Sequence, residues 1–240
     1  YAKGLLLMHS KKLLIHLIVH SKQKEAVSEC LHELTREWRS ALPDAGTTAT
    51  LMIAREEDPM RSDGEYQPTR AFDASIEILS DLPDAFERFG SISIHLAERL
   101  EGLIQPDLSA IQIGLNKVFI PCDPTPVRYQ YCMRRRHDFT NADYLKRYEE
   151  VHSQFGFKTP GIEGYSQFHI DQQVTQTSCL ETGFGVSRVD SVSELHLESL
   201  EKFLATFADA SDNGAAQDED RFVDRPNSVM WISDVVYSAA

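Results

Sequence analysis

Apolar positions along the chain change period in a fixed order, and the order occurs twice. Leu13–His20 alternates and predicts a strand. Lys24–Leu42 follows with Val27, Leu31, Leu34, Trp38 and Leu42 at helical spacing, and Pro43 ends it. Thr47–Ala54 is a β-branched run, Glu56–Gln67 a polar loop, and Phe72–Leu79 a third strand. Pro83 opens a second helix with Phe86, Phe89, Leu96, Leu100 and Leu103 along one side, and Ser109–Ile120 reads as a fourth strand. Pro121, Pro124 and Pro126 then make a stiff connector.

After the connector the order repeats. Val127–Met133 predicts a strand and Asp143–Phe157 a helix, with Thr140 and Asp143 spaced as in a capping box. Gly164–Val174 and Cys179–Arg188 read as strands, Val192–Phe207 as a helix, Ala208–Asp220 as an acidic loop or frayed helix, and Ser228–Tyr237 as the closing strand. Two β-α-β-β-α-β runs predict an α+β fold of two tandem ferredoxin-like units, residues 1–122 and 127–240. Each unit covers one sheet face with its helices. Pairing the two remaining faces within one chain predicts an intrachain α/β barrel, complete as a monomer with an internal pseudo-dimer or joined into a homodimer.

Composition narrows the partners. A chain of 240 residues with 42% hydrophobic content is globular, and its length suits two units of about 100–150 residues. The formal net charge of −13, with no basic run longer than Arg134–Arg136, disfavours nucleic acid and anionic membrane surfaces. Leu5–Val19 is too short and too interrupted by His9, Lys11, Lys12 and His16 to span a bilayer, and it lacks a signal-cleavage pattern. Cys30, Cys122, Cys132 and Cys179 form no CxxC pair, so free thiols in a reducing, cytoplasmic setting are expected. No HxH, HExxH, phosphate-binding loop or GxGxxG occurs, so neither a metal nor a nucleotide cofactor is expected.

Candidate chemistry concentrates between Arg134 and Ile170. Tyr144, Tyr148 and His152 share one helix stripe, and Tyr165, Gln167 and His169 share one strand face. A neutral imidazole titrates near neutrality and can move a proton, so His152 and His169 are acid/base candidates. Each histidine also has a structural reading, as a helix-end or hydrogen-bonded core residue. Tyr129 and Tyr131 share a face of the preceding strand, where they either stack on an aromatic ligand or pack. Arg135, in the run Arg134–Arg136, either offers a guanidinium to a substrate carboxylate or enolate or is part of a solvated strand end.

The motifs MRRR (Met133–Arg136), FTNADYLKRYEEVHSQF (Phe139–Phe155), PGIEGYSQFHI (Pro160–Ile170) and RFVDRPNSV (Arg221–Val229) resemble the EthD family of dimeric α/β barrels. The first half fits only by element order and resembles a degenerate repeat. The resemblance implies a pocket for a hydrophobic aromatic or polyketide-like molecule, a catalytic role for His152 and a family carboxylate at Asp224 that orients a histidine; the structural alternative for Asp224 is a turn residue paired with Arg221 or Arg225. It implies a dehydratase or decarboxylase, a lyase of aromatic-compound metabolism that uses no cofactor. A non-catalytic small-molecule carrier and a monooxygenase or haem protein of the same barrel superfamily are the alternatives.

Overall fold

A computed structural model describes residues 8–20, 24–42, 44, 46–60, 72–209 and 214–239. The first run gives β1 (Met8–Leu17), α1 (Lys24–Ala41), β2 (Thr48–Ala54), β3 (Ala74–Ser80), α2 (Ala85–Ser93), α3 (Leu96–Arg99) and β4 (Ala110–Ile120). The expected helix stop at Pro43 and most of the polar loop before Phe72 lie outside the described residues. The single long helix expected after Pro83 is broken, because His95 takes a left-handed turn at φ 55° between α2 and α3.

The second run gives β5 (Val127–Met133), α4 (Asn141–Arg147), a π-helical turn (Tyr148–His152), α5 (Ser153–Gly156), β6 (Gly164–Ile170), α6 (Gln172–Thr182), β7 (Ser191–Leu197), α7 (Leu200–Asp209), α8 (Ala215–Glu219) and β8 (Val229–Ala239). Thr140 caps α4 by accepting from the Asp143 amide at 3.1 Å, and its hydroxyl donates to the Asp143 carboxylate at 2.7 Å.

Two expectations for this run are overturned. Gln172–Thr182 is a helix, not strand. Asp171 starts it by accepting from the Gln173 and Val174 amides, and Gly183, at φ 77°, ends it. Its Thr175 packs inward and accepts from the Ile113 amide at 3.0 Å. Ser191–Leu197 is a strand, not the start of a helix. Its inward side chains include Glu194, so buried charge hid the alternation.

The eight strands close into one antiparallel barrel in the order β1-β3-β2-β8-β5-β7-β6-β4. The two runs are therefore hydrogen-bonded together at β4–β6 and β2–β8, and the barrel needs no strand from another chain. The helices lie outside it. α1 to α3 cover β1–β4 with an apolar core that includes Val27, Leu31, Leu34, Trp38 and Phe89. α6 joins the first layer, against β4, while α4, α5, α7 and α8 cover β5–β7 with a core that includes Tyr144, Tyr148, Phe203 and Phe222.

The barrel interior is mixed. Leu14, Met52, Phe168, Val192 and Trp231 pack there around a buried charge cluster. Lys12 bridges Glu77 and Glu194, and Arg128 stands 3.7 Å from both carboxylates. His16 stacks on Phe72 at 4.4 Å and lies 3.3 Å from Gln130. Burial holds its pKa down at about 4, so it is neutral. No described helix is long and apolar enough to cross a membrane. All four cysteines are free.

Candidate active site

Strand alternation decides which side chains reach the helix layer. On β5, Tyr129 and Tyr131 face outward while Gln130 and Cys132 face the barrel interior. On β6, Tyr165, Gln167 and His169 face the helices, while Ser166 and Phe168 face the interior charge cluster. Pairing then lays the outward side chains in rows. Tyr129 and Tyr165 flank Leu195, and Tyr131 and Gln167 flank Ser193.

Above these rows lies a cavity of about 390 Å³ lined by Tyr129, Tyr131, Tyr165, His152, Phe155 and Glu219, with Phe203, Arg225, Met60 and Met230 completing the wall. Gly156 is needed here, because a Cβ would stand 2.2 Å from the Tyr165 ring. Four residues expected to form the site do line one cavity: Tyr129, Tyr131, His152 and Tyr165.

The π-helical turn sets the histidine. Tyr144 stacks on Tyr148 at 6.1 Å, and Tyr148 stacks on His152 at 5.8 Å. The expected stripe is thus a ladder of rings that ends at the cavity. His152 is 7% exposed, and burial lowers its pKa below the usual histidine value, opposed by the nearby Asp218 carboxylate. Its Nδ1 lies 3.1 Å from Asp218 Oδ2. The carboxylate accepts, so Nδ1 carries the proton and Nε2 keeps its lone pair. Arg147 pairs with the same carboxylate and fixes it. His152 Nε2 faces Glu219 Oε1 at 3.8 Å. Burial pushes the Glu219 carboxyl up to about 7, against the pull of Arg225 at 3.6 Å.

The remaining expected residues stand elsewhere. Tyr144 donates to or accepts from Ser191 Oγ at 2.7 Å, buried behind the cavity. Gln167 donates to the Tyr148 carbonyl at 2.9 Å and to the Tyr165 hydroxyl at 2.7 Å, so it locks helix to strand. His169 lies 3.1 Å from Gln167 Oε1 and 5.5 Å from the Tyr148 ring centroid. Burial depresses its pKa to about 3, so it is a neutral packing group at ordinary pH. It does not line the cavity.

Asp224 does not reach His152. It accepts from Asn227 Nδ2 at 2.8 Å and faces a different cavity, together with Arg135, whose guanidinium pairs with Asp190. The orienting carboxylate is Asp218. Asp218 and Glu219 sit on α8, in the stretch read as an acidic loop or frayed helix and given no role in the site, so sequence reasoning passed over both.

The site does not gather ligands for an ion. Among the described residues no three His, Cys, Asp or Glu side chains could hold a metal, and Asp218 and Glu219 approach opposite nitrogens of His152. A haem does not fit either. Axial ligation would use His152 Nε2, and the Glu219 carboxyl 3.8 Å from that nitrogen occupies the side from which an iron would approach.

Residues 136–226 match the EthD domain. All of the cavity wall except Tyr129, Tyr131, Met60 and Met230 falls within that span. No curated protein matches the chain. Solved structures share its fold. A protein described as anthrone oxidase-like superposes with a TM-score of 0.62 at 10% identity, over 96% of this chain and 92% of that one. A putative monooxygenase from Fusobacterium nucleatum gives 0.53 at 8% identity, over 98% and 95%. One from Lactobacillus acidophilus gives 0.51 at 8% identity, over 97% and 96%. At such identities the likeness is one of fold.

Proposed function

We propose that the protein is an acid–base lyase that dehydrates a hydroxylated aromatic or polyketide-like molecule in the His152 cavity. The carrying observation is the pair His152 Nε2 and Glu219, 3.8 Å apart on one wall, with Asp218 behind the imidazole. Elimination of water needs a base beside an acidic C–H and an acid beside the leaving hydroxyl. Neutral His152 is the base, taking the proton on Nε2. Glu219, partly protonated near neutrality, gives its proton to the departing hydroxyl. Asp218 and Arg147 hold the ring and stabilise the imidazolium that forms. The aromatic lining and the cavity size favour a ring system of modest size. Decarboxylation needs no leaving-group acid, so the Glu219 position favours dehydration over it.

The strand orders β4-β1-β3-β2 and β8-β5-β7-β6 support reading residues 1–122 and 127–240 as tandem ferredoxin-like units, the second bearing the site. On this reading the chain acts as a monomer, since the barrel closes within it.

A second reading is oxygenation of the carbanion that His152 generates, with molecular oxygen as the oxidant. The fold likeness to the anthrone oxidase-like protein and the two putative monooxygenases favours it. Hydroxylated aromatic ketones separate the two when product mass and oxygen uptake are followed together. Dehydration gives a product lighter by one water with no oxygen consumed, and His152→Ala lowers turnover by about 10²–10⁴-fold. Oxygen uptake matched to turnover supports the second reading. Tight binding with no product defeats both and leaves a carrier.

A further inference from the structure

We infer a second ligand site, separate from the His152 cavity, that takes the carboxylate of an apolar organic acid. The pairing of β5 with β7 ends at Met133 and Ser191, and the Asp190 amide donates to the Met133 carbonyl at 2.8 Å. Arg134 follows one strand and Arg188 precedes the other, so the two meet at one end of the sheet. With Arg135 and Arg136 they line a cavity of about 670 Å³. Such a gathering is unexpected in a chain of net charge −13.

The carboxylates there are already engaged. Asp190 pairs with Arg135 and accepts from Asn141 at 3.1 Å, and Asp224 accepts from Asn227. Arg136 is held by Asp138 at 3.0 Å and by the Asp220 carbonyl at 3.1 Å. Among the described residues, the Arg134 and Arg188 guanidiniums have no hydrogen-bond or ion-pair partner. Two uncommitted guanidiniums facing one cavity suit a planar oxyanion, which each can meet with paired N–H donors. Phe139, Val223 and Pro226 supply an apolar wall beside them, which favours a carboxylate on a hydrocarbon body over bare phosphate. The cavity is distinct from the first. Asp224 and Pro226 line it, while Arg225 between them lines the His152 cavity.

Calorimetric titration of the full chain at low salt tests this, with 1-naphthoate, neutral 1-naphthalenemethanol and inorganic phosphate as probes. The expected result is binding of naphthoate that weakens about tenfold or more in the R134A/R188A double variant and weakens again with added salt. Arg188 is exposed and Arg134 half-buried, so the fold survives their loss, which circular dichroism checks; R134Q/R188Q repeats the test with less change of volume. Equal binding of the neutral probe, unchanged affinity in the variants, or phosphate binding as tightly as naphthoate would each overturn the assignment. The readout is binding alone, so its failure is separable from failure of the His152 chemistry.

Discussion

The two helix layers cover the same barrel in opposite ways. Over β1–β4, α1 and α2 lay down Leu31, Leu34, Trp38 and Phe89, each at most 3% exposed, and the layer is sealed. Over β5–β7, the corresponding space is filled by Tyr129, Tyr131, Tyr144, Tyr148 and Tyr165, and a cavity remains among them. Side chains without hydroxyls interdigitate to crystal-like density. Tyrosines carry a hydroxyl that seeks a hydrogen bond when buried, so Tyr144 and Tyr165 bring Ser191 and Gln167 with them and the layer packs less completely. One layer serves stability, and the other gives up some packing to hold a neutral histidine beside a carboxyl.

The largest expected effect breaks the sealed layer. Trp38→Ala should lower unfolding free energy by about 3–5 kcal/mol, measured by denaturant titration, because it removes a large buried ring that cannot be replaced by collapse. Ligand binding in the His152 cavity should be unchanged at temperatures where the variant is folded. Phe155→Ala is the matching cut in the open layer. Its ring is half-buried and lies 5.5 Å from His152, so stability should fall by only about 1–2 kcal/mol while affinity for an aromatic ligand drops. Equal stability losses at the two sites would remove the distinction between the layers.

The same contrast explains what could be read from the sequence. In the sealed layer, pattern and structure coincide: Val27, Leu31, Leu34, Trp38 and Leu42 mark α1 by spacing alone, and all are buried. In the open half, function distorts the pattern. Glu194 points with Val192 into a mixed barrel interior while Ser193 faces outward, so β7 lacks the alternation of a half-apolar strand. The ring ladder Tyr144–Tyr148–His152 was legible because i, i+4 spacing survives a single π-helical turn. Asp218 and Glu219 were not legible. Their role comes from α8 folding back onto the π-helical turn, and acidic residues in a small-residue stretch carry no sign of such burial. Asp224 drew attention by its place in a motif, but its backbone turn points it away from His152.

A smaller effect sharpens the chemical side of the comparison. His152 must be neutral to act as base, and its pKa lies below the usual value. Glu219 must be protonated to act as acid, and its pKa is about 7. The pH profile of kcat/KM should therefore peak on the acid side of neutrality and fall along an alkaline limb near pH 7. Glu219→Gln should abolish that limb and lower the maximum by about ten- to a hundredfold. Retention of the alkaline limb in this variant would assign it to another group and remove Glu219 from the reaction.

The smallest effect separates the barrel interior from the active-site layer through acid stability. His16 is fully buried and its pKa is held at about 4, against 6.5 for the unfolded chain. Between those values the unfolded state binds the proton and the folded state does not, so stability falls as pH drops through that window. His169, held at about 3, acts in the same direction. Glu219 acts oppositely: its folded pKa of about 7 lies above its unfolded value near 4.5, so its contribution to stability is present at low pH and is lost as pH rises through 7. His16→Gln removes one of the depressed groups without touching the cavity. Between pH 6.5 and 5.5 the acid-induced loss of unfolding free energy should shrink by about 1 kcal/mol, whatever the variant's baseline stability. An unchanged slope would mean that His16 is not held neutral by burial, and that water reaches the charge cluster around Lys12 and Glu194.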